Sequence, residues 1–198
     1  MKHFQPSILI VCLCFFVFQN RSFAVLSSDI LNDTINDPLI VKTKFGYIKG
    51  SKDKNNSIVF KGIPYAKAPI GDLRWKAPVD PDPWEGIRPA KKFADYSLQY
   101  HSFSKRISGD EDCLYLNIWK PAEQSEKLPV YVWIHGGGNT LGGADVMKEY
   151  YGHEIVDKSK LIYVSINYRL GLFGWLSHPA LRNSDNPADN SGNYGTLD

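Results

Sequence analysis

Pro129-Val130-Tyr131-Val132-Trp133-Ile134-His135-Gly136-Gly137-Gly138 is the stretch from which the fold can be read. Val130 to Ile134 is an unbroken apolar run, the mark of a strand buried in a sheet, and three glycines follow it directly. Downstream, Ala144 to Lys160 carries Val146, Met147, Tyr150, Tyr151, Ile155 and Val156 at roughly helical spacing, broken at Gly152. A second apolar run, Leu161 to Ile166, comes next. Strand, glycine turn, partly helical crossover and strand is a βαβ order, which requires parallel pairing and places the chain in the α/β class. A third buried strand, Leu114 to Trp119, precedes this unit.

Towards the N-terminus the elements shorten. Leu39 to Thr43, Tyr47 to Gly50 and Ser57 to Lys61 read as strands of a small antiparallel sheet, separated by Gly46 and by the polar break Ser51 to Asn56. From Ile63 to Trp84, prolines 64, 69, 78, 81 and 83 remove backbone donors and fix φ. That stretch is expected as ordered extended loop lying on a core, because Tyr65, Leu73, Trp75 and Trp84 need somewhere to pack. Past Asn167 the chain is rich in loop-forming residues.

The first 24 residues stand apart. Lys2 and His3 precede the apolar run Ile8 to Phe18, and Ser22-Phe23-Ala24 gives a small-residue cleavage pattern, so residues 1–24 are read as a secretory signal peptide and the protein as secreted or periplasmic. The run is too short for a membrane span, which needs roughly 18 to 20 apolar residues. The 23 basic residues less Lys2 and Arg21 equal the 21 acidic ones, all downstream, so the mature chain is formally neutral and nucleic acid is not an expected partner. Cys12 and Cys14 leave with the signal, and Cys113 is then the lone thiol of an exported chain, read as a buried bystander. The N-x-[ST] triplets at Asn32 and Asn55 are glycan acceptors only in a eukaryotic host.

The glycine triplet is also where chemistry is expected. Acyl transfer passes through a tetrahedral oxyanion, and a water-poor site must hold donors already aimed at it. Backbone N–H groups can serve where the chain turns sharply and no Cβ blocks the substrate. On the residues alone, an oxyanion loop and a plain strand-to-loop turn both stand. A Walker-type phosphate loop is disfavoured because no Gly-Lys-Ser/Thr follows. Ser51-Lys52-Asp53-Lys54 fits a Ser-x-x-Lys pattern but lies in a polar break without companion motifs, and reads as solvated loop.

Several segments carry a more specific signal: Glu111-Asp112-Cys113-Leu114-Tyr115-Leu116-Asn117-Ile118-Trp119-Lys120-Pro121, and, in order, Phe60 to Ala66, Gly71 to Trp75, Trp84 to Gly86, Trp133 to Gly138, Asn167 to Gly171 and Gly192 to Gly195. Together they resemble the type-B carboxylesterase and cholinesterase family over about residues 39 to 198. The resemblance implies an α/β-hydrolase fold, N-terminal part only, with the small antiparallel sheet followed by the first strands of a central mixed sheet. Residues 25–198 would then be the N-terminal portion of a carboxylesterase-type domain acting on a small-molecule carboxylic ester, with no cofactor.

By the same resemblance, Gly137 and Gly138 are two oxyanion-hole donors. The nucleophile belongs to a Gly-x-Ser-x-Gly elbow, followed by an acid and a histidine. No such elbow occurs in residues 1–198, and His101, His135, His153 and His178 do not match the family's catalytic histidine. The triad is therefore expected after Asp198, and residues 1–198 alone are expected to be inactive.

Two departures bear on specificity. Many relatives pair a cysteine matching Cys113 with one at the position of Ser97, so the loop from 97 to 113 is unstapled here, and it has no tryptophan for a quaternary ammonium, which disfavours a cholinesterase. Asn139-Thr140 stands where relatives place an aromatic residue on the acyl side of the pocket. The alternative reading is a noncatalytic member acting in adhesion or binding, or an inactive truncated product.

Overall fold

A computed structural model describes residues 37–124 and 126–198. The expected signal peptide and the triplet at Asn32 lie outside the described residues. Among the described residues, ten strands form three sheets. β1 (Ile40–Lys42), β2 (Tyr47–Lys49) and β5 (Ile87–Pro89) make the small N-terminal sheet in the order β1-β2-β5. β3 (Ser51–Asp53), β4 (Ser57–Pro64), β8 (Tyr115–Pro121), β9 (Val130–Ile134) and β10 (Ile162–Ile166) make the central sheet in the order β3-β4-β8-β10-β9, and β6 (Gln99–His101) and β7 (Arg106–Ser108) form a hairpin.

The central sheet is mixed. β8 lies antiparallel to both β4 and β10, while β9 and β10 pair in parallel, with Val132 opposite Val164. The crossover between β9 and β10 is helical only in its second half: a 3-10 turn at Lys148–Tyr150, then helix α1 (His153–Ser159), with Gly152 at its N-cap. Gly152 lies flat against the Tyr163 ring, where a Cβ would stand 2.5 Å from a ring carbon. The crossover can thus reach the sheet only through a residue without a side chain. α1 then seats Val156, fully buried, against Val59, Trp119 and Tyr163. Two short helices, α2 (Gly171–Trp175) and α3 (Tyr194–Leu197), complete the C-terminal side.

Three readings of the N-terminal half need correction. The polar break at Ser51 to Asn56 is half strand: Ser51–Asp53 pairs with β4, and only Lys54 to Asn56 turns. Asn55 and Asn56 both take positive φ (55° and 49°), and Ser57 N–H donates to Lys54 O, which is a type I′ hairpin turn. The Ser57 strand also belongs to the central sheet, and the third strand of the small sheet is β5, parallel to β2. The reason is burial on both faces: Ile58 and Phe60 face the small sheet with Ile48, and Val59 faces α1 with Trp119. Ile63 and Pro64, expected as loop, are the end of β4 and pair with Leu116 and Tyr115 of β8. The proline-rich stretch runs as loop only from Tyr65, with one 3-10 turn at Gly71–Leu73. Its aromatic residues are anchored, Tyr65 Oη to Asn167 O at 2.7 Å and Trp84 Nε1 to Tyr47 O at 2.8 Å.

β9 is less buried than its composition suggests. Its residues form the strand foreseen, but among the described residues it is the sheet edge. Val130, Tyr131, Val132 and Ile134 are 58%, 47%, 54% and 61% exposed, so an apolar strand presents one unpaired backbone edge and open side-chain faces. Residues 25–198 expressed by themselves are therefore expected to self-associate and to unfold without a single cooperative transition. Light scattering and a urea titration check this, and a soluble monomer with one cooperative transition would contradict it.

Candidate active site

The glycine turn leaves the open edge of the sheet at Ile134. His135 turns inward and is buried, whereas Gly136 to Thr140 are exposed. Gly137, Gly138 and Asn139 take φ of 125°, 61° and 60°. At Gly137 a Cβ would collide with the Leu141 carbonyl oxygen; at Gly136 and Gly138 it would meet nothing within 4 Å. The Gly137 carbonyl closes the turn by accepting from Thr140 N, Leu141 N and Thr140 Oγ1. Among the described residues, none accepts a hydrogen bond from Gly137 N–H or Gly138 N–H.

A turn with so few internal bonds is held from outside. Tyr168 donates from Oη to His135 O at 2.7 Å and stacks on the imidazole with ring centres 4.5 Å apart. Gly171 N–H donates to Asn139 O at 2.7 Å, and Ala144 N–H to Asn167 Oδ1 at 2.7 Å. On the other side the Gln99 carboxamide pairs with both backbone groups of Gly142 at 2.8 Å each. Gln99, Asn167 and Tyr168 were not singled out from the sequence as site residues. Asn167 and Tyr168 lie in a segment that carried family resemblance, and nothing local marks Gln99.

The segment Asn167 to Gly171 is itself fixed by Arg169. Its guanidinium is buried, donates to both oxygens of the buried Asp198 carboxylate (2.5 and 2.8 Å) and to Lys76 O (2.8 Å), and lies over the Tyr194 ring. Beside the turn, an apolar cleft of about 380 Å³ is lined by Tyr100, Ile107, Thr140, Leu170, Leu172 and Phe173. Thr140, flagged as a departure, thus forms part of a cleft wall. The other histidines make contacts of their own: His101 with Ser108 Oγ at 2.8 Å, His153 near Asp53 at 4.0 Å, and His178 with Ala180 N. Among the described residues no three His, Cys, Asp or Glu side chains are grouped to hold a metal.

The model of the carboxylesterase family matches residues 37–198. The chain belongs to that family. A fumonisin B1 esterase of Sphingopyxis macrogoltabida is 40% identical over 167 residues, which are 82% of this chain and 30% of that protein. A juvenile hormone esterase of Tribolium castaneum is 42% identical over 156 residues, covering 75% of this chain and 26% of that protein. A crystal structure of a Geobacillus stearothermophilus carboxylesterase superposes with a TM-score of 0.69 at 39% identity, over 80% of this chain and 32% of its own. The chain thus spans less than a third of the length of these carboxylesterases.

Cys113 is buried without a disulfide partner among the described residues. Burial pushes its thiol up to about 12, although the Ser97 hydroxyl that bonds to it works the other way. Ser97 Oγ also accepts from Leu170 N–H at 2.9 Å. Native Cys113 is therefore expected to resist alkylation at pH 8 and to react fully in urea. Ser97→Cys is expected to close a disulfide with Cys113, seen as loss of both thiols in the unreduced, denatured protein. Cross-linking a loop of about 15 residues is worth roughly 3 kcal/mol. Loss of the acceptor for buried Leu170 N–H costs about 1–3 kcal/mol, so the net gain is small.

Burial also holds the His135 pKa below its ordinary value, offset in part by its Nδ1–H bond to Gly136 O. The unfolded chain takes up the proton first on acidification. The stability contributed by neutral His135 is thus intact above about pH 6.5 and is lost as pH falls from there to the depressed folded value. His135→Gln is expected to flatten this part of the stability-versus-pH curve; an unchanged slope would contradict the assignment.

Proposed function

We propose that this chain carries the oxyanion-stabilising side of a serine carboxylic ester hydrolase, with the serine, acid and histidine of catalysis following Asp198. The observation that carries the reading is the pair of N–H groups at Gly137 and Gly138: on exposed residues, without a protein acceptor among the described residues, and held at the end of a parallel strand. Donors already in position act on the charge that develops in the transition state and need no reorganisation at that moment. Membership of the carboxylesterase family supports the choice of ester over other acyl substrates.

The reaction is acyl transfer in two halves. The serine oxygen bonds to the ester carbonyl carbon as its proton passes to the histidine, and the carbonyl oxygen becomes an oxyanion facing Gly137 and Gly138. Collapse breaks the bond to the alcohol, which leaves with that proton; water then adds to the acyl-enzyme in the same way, and the second collapse releases the acid and restores the serine hydroxyl. The chemistry needs neither cofactor nor metal. Residues 1–24 act as the export signal in this reading, so the enzyme works outside the compartment of its synthesis. The apolar cleft beside Thr140 supports a substrate with an apolar group next to the reacting carbonyl.

The test uses the native secreted product, an aryl ester and a fluorophosphonate probe. Turnover that the probe abolishes at one serine upholds the reading; absence of both turnover and labelling sinks it. Gly138→Ala has room for its methyl and costs about 1–2 kcal/mol of backbone strain, so it is expected to fold and to lose about 10²-fold in kcat. Gly137→Ala cannot be accommodated without rebuilding the turn and is expected to lose activity and loop structure together. Equal, near-native kcat in both variants would remove these glycines from catalysis.

A further inference from the structure

Gln99, the first residue of β6, is 5% exposed, an unusual setting for a long amide. Its burial is matched by three hydrogen bonds. Nε2 donates to Gly142 O at 2.8 Å and to Ser97 O at 3.0 Å, and Oε1 accepts from Gly142 N–H at 2.8 Å. The side chain therefore reads Gly142 as one strand reads another, through a donor and an acceptor at once. The amide can sit only one way round, because Gly142 N–H can only donate and its carbonyl can only accept.

Gly142 is the far post of the glycine turn. Its φ is +119°, and a Cβ there would stand 2.5 Å from both Gly136 O and His135 Nδ1. The α-carbon of Gly142 thus rests directly on the peptide that precedes Gly137. Tyr168 and Gly171 hold the turn from the β10 side; Gln99 holds it from the hairpin side, 43 positions away in sequence. Without Gln99, both backbone groups of Gly142 lose their hydrogen-bond partners, and the residue is held against the Gly136 peptide only through its neighbours, Leu141 N–H on Gly137 O and Ala144 N–H on Asn167 Oδ1.

We propose that Gln99 is a positioning residue of the oxyanion hole: by clamping Gly142 against the Gly136 peptide it fixes the direction of the Gly137 and Gly138 N–H groups. The inference rests on the function proposed above. It also makes the segment between Ser97 and Cys113 a support of the reacting centre in a chain whose segment has no disulfide at Ser97. Gln99 touches no reacting atom, although it also lines the apolar cleft, so its main effect belongs to the transition state, with a smaller one on substrate affinity.

The experiment compares the native full-length protein with Gln99→Leu, which removes all three bonds, and Gln99→Glu, which keeps the length and the acceptor for Gly142 N–H but sets a carboxylate against two carbonyl oxygens. Two quantities are read: amide hydrogen exchange in peptides covering 135–145, and kcat and KM for an aryl ester. Faster exchange confined to 135–145, with kcat reduced about 10- to 100-fold and KM within about threefold, is the expected result. Exchange unchanged in that segment, kcat near native in both variants, or acceleration spreading through β4, β8 and β10 in both would each overturn it. The function reading fails separately, if the unsubstituted protein turns over no ester. Exchange alone then decides the clamp, upheld by acceleration confined to the turn and overturned by its absence.

Discussion

The buried pair of Arg169 and Asp198 is the constraint from which the rest of the site hangs. Neither side chain reaches solvent, and the guanidinium gives a third hydrogen bond to Lys76 O while its face covers Tyr194. Removing one partner from such a pair typically costs about 3–5 kcal/mol, because the other charge stays buried and unmatched. What the pair secures is the course of the five residues that leave β10. Asn167, Tyr168, Leu170 and Gly171 each hold a different neighbour: Ala144 and Asp95, His135, Ser97, and Asn139 respectively. A shift of this segment would move the glycine turn, the hairpin and the proline-rich loop together, since Tyr65 also ends on Asn167.

The turn needs such outside support for a physical reason. Peptide groups that are to bind a developing negative charge must be left without internal acceptors, and a segment that leaves its donors free forgoes the bonds that would hold it. Glycine makes this worse by widening the unfolded ensemble. The resolution here is to hold the turn by its carbonyls and by its flanks: His135 O, Asn139 O and both backbone groups of Gly142 are bonded, and the two central N–H groups are left free. The supports of the turn thus engage its carbonyls and flanks, and the free donors belong to exposed residues.

The strands were legible because their signal is local. Val130 to Ile134 is bounded and apolar in the sequence and is a strand at those residues in the structure, and its parallel pairing with β10 follows from the length of the crossover. Ser51–Asp53 was missed because a polar three-residue strand at a sheet edge has no apolar alternation to announce it. The exposure of β9 could not be read from its composition, which is that of a buried strand whichever neighbours it has. Of the site, the sequence displayed the glycines and their place after a strand. The supports were hidden for the opposite reason: Gln99 meets Gly142 across 43 positions and Tyr168 meets His135 across 33, and a single glutamine or tyrosine carries no periodicity that foretells such a contact.

In the function proposed above, these residues are one side of a reacting centre whose other side is carried further along the same polypeptide. The measurement that bears most directly on this proposal is the intact mass of the native product, captured from its source with an antibody raised against residues 37–198. The relatives are about three times as long as the portion this chain matches. The account predicts a product of comparable size, yielding a peptide with a Gly-x-Ser-x-Gly elbow. A product whose mass corresponds to residues 25–198 would contradict it.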